Sequence, residues 1–130
     1  MRTVLAALAL ILALAATALA GQDVPDLVGT WQGTMDKHMK GAGFVGGDTS
    51  LVFVVKEQKG RLFHGEKSWV LNGKPMKEAF SGVITPKGDV YLAEDDDGVS
   101  IGEYDAGVLT FYYVEAGPTR MAIIQTLKKK

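Results

Sequence analysis

Turn chemistry recurs along this chain at short, even intervals, and that rhythm restricts the fold more than any other feature. "KG", "NGKP", "PKG", "DDDG", "DAG" and "AGP" stand between runs rich in Val, Ile, Thr and aromatic residues. These are the residues of tight hairpin connections, where backbone bends are cheap and extended structure stops. The runs between them number eight: Val28–Met35, Thr49–Gln58, Arg61–Leu71, Met76–Thr85, Asp89–Glu94, Val99–Tyr104, Val108–Glu115 and Arg120–Lys128. No segment after residue 21 carries a 3.6-residue apolar period. The expectation is an all-β fold, an eight-stranded antiparallel up-and-down meander. Eight strands close into a barrel about wide enough to be filled by side chains or to hold one small ligand. Closure also removes the unpaired edges of an open sheet.

Alternation assigns most of the strand faces. Trp31, Gly33 and Met35 form one face of the first strand, against Thr30, Gln32 and Thr34. Phe63, Gly65 and Trp69 share a face, with Lys67 an awkward fourth member. Phe80, Gly82 and Ile84 oppose Ala79, Ser81 and Val83, while Leu109, Phe111 and Tyr113 oppose Thr110, Tyr112 and Val114. The second and eighth runs are apolar on both faces, so alternation gives them no inward side. Glycines beside bulky aromatics suit the inside of a narrow barrel. One connector breaks the rhythm: Asp36 to Asp48, thirteen residues with four glycines, carries Phe44-Val45 in its middle. A loop of that length is either a solvated insertion or a lid, and the apolar pair is what a lid would use.

The first twenty residues are read apart from the fold. Arg2, an apolar run from Val4 and the small-x-small ending Ala18-Leu19-Ala20 are the pattern of a cleaved secretory signal. Residues 21–130 then form a single domain, exported to the periplasm or secreted, with no membrane attachment after cleavage. Without Arg2 that domain holds 13 basic and 15 acidic side chains, a balance that argues against nucleic acid as a partner. There are no cysteines, so disulfides, thiol catalysis and cysteine zinc sites are excluded and core packing alone must hold the chain.

"LVGTWQGTM", with Gly29, Trp31 and Gly33, opens the meander, and "GVLTFYY" closes toward its end. Together they resemble the calycin superfamily of lipocalins, fatty-acid-binding proteins and avidins. The resemblance implies an eight-stranded barrel in which Gly29, Trp31 and Gly33 are structural and the opposite end takes a ligand. In lipocalins an arginine near the end of the last strand packs over the first-strand tryptophan; here Arg120 begins the last run and Lys128 stands where that partner belongs.

No catalytic motif is present: there is no nucleophile elbow and no phosphate loop. His38 and His64 are the only histidines, and neither has a carboxylate at metal-ligand spacing. The acidic run Glu94–Asp97 lacks the spacing of a calcium loop and reads as a solvated hairpin tip. No metal and no cofactor is expected. Glu103 shares a face with Val99 and Ile101, which would either turn it inward as a base or ligand anchor or leave it at the strand end in water. The expected role is therefore binding of a small, largely apolar molecule at the barrel mouth. That mouth lies between the long connector and the "NGKP", "DDDG" and "AGPT" turns, with Phe44, Trp69, Tyr91, Glu103 and Tyr113 as candidate contacts. The other expectation is a packed barrel that binds a protein partner through its loops or surface, as small protease inhibitors do.

Overall fold

A computed structural model describes residues 23–95 and 98–130. The leader expected over residues 1–20 and the acidic residues Asp96 and Asp97 lie outside the described residues. Eight strands follow in order: β1 Gly29–Met39, β2 Gly43–Lys59, β3 Leu62–Leu71, β4 Lys74–Ile84, β5 Asp89–Glu94, β6 Val99–Asp105, β7 Val108–Glu115 and β8 Met121–Lys129. Each pairs antiparallel with the next, and β8 returns to β1, so the sheet is a closed barrel of up-and-down topology. The turns take the backbone expected of their residues: Asn72 and Gly73 both have positive φ (51° and 76°), the conformation a two-residue hairpin requires.

The expected long loop is strand instead. β1 and β2 continue through Lys37↔Val45, His38↔Phe44 and Met39↔Gly43, leaving only residues 40–42 as a turn. Two register shifts, between Gly33 and Met35 and between Met35 and Lys37, break the alternation there. The glycines serve this irregularity. The Asp36 carboxylate lies where a Cβ on Gly46 would come within 2.7 Å, and it accepts the Gly47 N–H at 3.0 Å. On its other side β1 is held by β8 as far as Met39↔Met121. Glycine and polar residues therefore mark a bulged strand pair rather than a lid.

Inside, alternation produces a close fit. Phe63 is the register partner of Gly82, Phe80 of Gly65, and Phe111 of Gly102. A Cβ on Gly82 or Gly102 would run into the facing phenylalanine ring, and one on Gly65 would run into the Val54 carbonyl with the Phe80 ring beside it. Each glycine thus makes room for an aromatic ring in the narrow interior. Phe53 lies 5.4 Å from Phe80 and 5.6 Å from Phe111 by ring centroids, joining the walls across the barrel. For β2 the inward set is Leu51, Phe53 and Val55, and for β8 it is Ile123, Gln125 and Leu127.

The end nearer the N-terminus of β1 is sealed. Leu27, fully buried, drops into it from the lead-in, and its carbonyl accepts the indole N–H of Trp31 at 2.8 Å. Gln58 fixes that lead-in by accepting the Leu27 N–H and donating to the Pro25 carbonyl, both at 2.8 Å. Lys129, not Lys128, supplies the last-strand cation: its Nζ lies 5.8 Å from the Trp31 ring and donates to the Asp26 carbonyl. Gly29 (φ 133°) leaves the space that the Lys129 stem fills, since a Cβ there would approach Cε at 2.9 Å.

Candidate functional site

The opposite end of the barrel is hollow. A cavity of about 220 Å³ opens among Met39, Leu71, Glu115 and Met121, which are terminal residues of β1, β3, β7 and β8. Met35, Trp69 and Ile123 add apolar wall below them. Side chains of this kind are flexible and soft, and they line a space rather than fill it.

Polar groups converge on the deeper wall. Lys67 is inward because it keeps the parity of Phe63, Gly65 and Trp69, and Glu78 keeps that of Phe80, Gly82 and Ile84. Glu94 ends β5 on the face of Val90 and Leu92. The Lys67 ammonium lies 2.6 Å from the Glu94 carboxylate and 3.4 Å from that of Glu78, and all three side chains are less than a tenth exposed. The other Glu94 oxygen accepts the Ser100 hydroxyl at 2.7 Å. The ammonium also lies 5.4 Å from the centroid of the Trp69 ring. A buried ion cluster so connected satisfies most of its own hydrogen-bonding groups, which is the condition for tolerating buried charge.

Tyr113 donates its hydroxyl to Glu115 at 3.0 Å, and Thr119 donates to the other oxygen of the same carboxylate. Burial pushes the Tyr113 hydroxyl up to about 12, helped by that hydrogen bond and by the negative field of Glu115, Glu94 and Glu78. Gln125, 3% exposed, turns its amide toward Met35, with Nε2 4.0 Å from the sulfur. Its carbonyl oxygen is buried and has no hydrogen-bond partner among the described residues.

Of the residues expected at the mouth, Trp69 and Tyr113 line this cavity. The other three do not. Phe44 is 90% exposed and stacks edge-on against His38 on the outer wall, 4.7 Å between ring centroids, because the segment that carries it is strand and not lid. Tyr91 faces outward, since Val90 and Leu92 hold the inward parity of β5. Glu103 is exposed with Val99 and Ile101, because β6 turns Ser100, Gly102 and Tyr104 inward. Ser100 and Gly102, not the apolar Val99 and Ile101, face the core, since the Thr110 carbonyl and the Phe111 ring take up the room at Gly102. His64 likewise faces outward beside Glu57, and Glu66 pairs with Lys56 and Lys77 on the outer surface.

Lys67, Glu78, Glu94, Glu115, Gln125 and Lys37 are charged or amide lining residues the sequence did not nominate. Parity with neighbouring phenylalanines and glycines was available for the first two. Glu94 was hidden in an acidic run that reads as a hairpin tip, and Gln125 in a strand apolar on both faces.

The sequence matches no protein-family model and none of the curated proteins. Among solved structures it is similar to one described as a redesigned β barrel, at 14% identity and a TM-score of 0.55, covering 80% of this chain and 91% of that one. At that identity the likeness supports the small closed-barrel fold and nothing finer.

Proposed function

We propose that the protein is an exported, non-catalytic barrel that binds a small, largely apolar molecule at its hollow end. The observation that carries this reading is the asymmetry of the interior. One end is plugged by Leu27 and Trp31, while the other holds a cavity of about 220 Å³ with methionine, tryptophan, leucine and isoleucine in its wall. That volume exceeds the roughly 150 Å³ of an apolar cavity that binds benzene and falls below the usual ~300 Å³ of drug-sized sites. A compact ligand of about one ring is the natural occupant. The calycin-like reading draws support from the same closed end, where Gly29, Trp31 and a last-strand cation are assembled.

Native mass spectrometry of the protein purified gently from an exported fraction tests both parts. Loss of residues 1–20 and an added mass that disappears on denaturation are expected. A full-length chain found inside the cell counts against export, and a bare mass at high protein concentration counts against a retained ligand.

A protein-binding role on the outer wall is the second reading. Val83, Tyr91, Ile101, Tyr112 and Ile124 are successive register partners across β4 to β8, each between 37% and 50% exposed. Uncharged exposed ridges of this kind mark contact surfaces. Replacing Ile101 by Lys would abolish capture of such a partner and leave the cavity as it is, which a pull-down from the exported fraction with both forms would measure.

A further inference from the structure

We infer that the molecule taken up carries a protonated amine, or an equivalent cationic head, on its compact apolar body. This rests on the small-molecule reading above and adds the chemical class. Formal charge on the cavity wall is the first argument. Glu78, Glu94 and Glu115 line it together with Lys37 and Lys67, a formal net of one negative charge among the described lining residues. Lys37 also acts on Asp48 at the rim, where its charge helps hold that carboxyl below its usual range, after two hydrogen bonds from Ser50. A carboxylate ligand would add a fourth anion to a low-dielectric pocket, where Lys67 is already held by Glu94 and Glu78 and Lys37 alone could meet it.

Donor and acceptor bookkeeping is the second argument, and it is independent of charge. The donors of the deeper wall are largely spent, and Lys37 is the lining cation that keeps its own. Lys67 gives to Glu94 and Glu78 and turns toward the Trp69 ring, Tyr113 gives to Glu115, and Ser100 gives to Glu94. The acceptors are not. The Gln125 carbonyl oxygen is buried in the cavity wall without a partner among the described residues, and the carboxylates of Glu94 and Glu115 keep lone pairs beyond those in use. A buried acceptor left empty is costly, so the site asks for a ligand that donates. An ammonium supplies three N–H groups and a positive charge together, and the Trp69 and Tyr113 rings offer faces that attract cations. The same carboxylates bear on Tyr113, whose hydroxyl is held against ionisation first by burial and then by their hydrogen bond and field.

Calorimetric titration of the purified protein with phenylpropylamine, phenylpropanol and phenylpropionate separates the possibilities, since the three share one body and differ in the head. The amine should bind at least about tenfold more tightly than the alcohol, the size of one charge-assisted hydrogen bond, and the carboxylate most weakly. In Glu115→Gln, and separately in Gln125→Leu, the preference for amine over alcohol should shrink by about fivefold to tenfold. Alcohol or carboxylate binding as tightly as the amine overturns the cationic head and leaves the apolar cavity reading standing. Heat from none of the three overturns both.

Discussion

At the end of the barrel near Trp31, phenylalanine rings sit over glycines and the interior is filled; at the end near Met39 and Met121 the same eight strands enclose a space. Backbone geometry does not distinguish the two, because the sheet is continuous and closed throughout. Side-chain choice does. Rigid rings fitted to glycine gaps reach across the axis and touch, as Phe53, Phe80 and Phe111 do. Those three are also the register partners of Lys67, Glu94 and Gln125, so the packed cluster ends where the polar cavity wall begins. A small barrel can therefore hold its fold with one half and leave the other free to bind. Stability should be concentrated accordingly.

The largest difference is expected between Trp31→Ala and Met121→Ala. The first removes a buried ring and the donor to the Leu27 carbonyl, and should cost about 3–5 kcal/mol in urea unfolding. The second trims a half-buried side chain that already borders empty space, and should cost under about 1 kcal/mol. Equal losses would mean that the hollow end carries as much of the fold as the packed one.

Next in size is Lys67→Met. It keeps the volume of the side chain but takes the cation away from two buried carboxylates that it holds at 2.6 and 3.4 Å. Removing one partner of a buried ion cluster costs about 3 kcal/mol or more. Changing Glu78 and Glu94 to Gln in the same chain should recover much of that loss, because the buried charges, not the missing amine, cause it. A single Lys67→Met that is as stable as the parent would show that water in the cavity already solvates the acids. Gly82→Ala should cost somewhat less, about 1–3 kcal/mol, since its Cβ would meet the Phe63 ring and the ring must shift. No change in the unfolding midpoint there would mean that the packed half has slack.

The legibility of the sequence follows the same division. Hairpin turns and two-residue alternation are local, and they place all eight strands to within a few residues at most ends. Alternation also identifies Trp69 and Tyr113 as inward. What escapes is set by partners distant in sequence. The bulge of β1 and β2 needs Asp36 to reach Gly46 and Gly47, and glycine there reads as loop. β6 turns Ser100 and Gly102 inward because the Thr110 carbonyl and the Phe111 ring occupy the space at Gly102, so the apolar Val99 and Ile101 mislead and carry Glu103 with them. Plugging by Leu27 depends on Gln58, thirty-one residues away. The charged site was hardest to see, because Lys67 and Glu94 are ordinary surface residue types until the closed barrel brings them to 2.6 Å.

The smallest expected effect reports on the hollow half alone. Tyr113 has its hydroxyl raised from 10.0 to about 12 in the folded chain. Between those values the folded protein keeps a proton that the unfolded chain releases, so this group's contribution to stability is intact below about pH 10 and is lost as pH rises toward 12. Tyr113→Phe cannot ionise, so its stability should fall less steeply over that interval than the parent's, while the two behave alike near neutrality. Urea midpoints of both forms across the interval measure the difference in slope. Parallel curves would mean that Glu115, Glu94 and Glu78 place no net field on the hydroxyl. The electrostatic part of the case for a cationic ligand would then fail, and the buried carbonyl of Gln125 would be left to carry it.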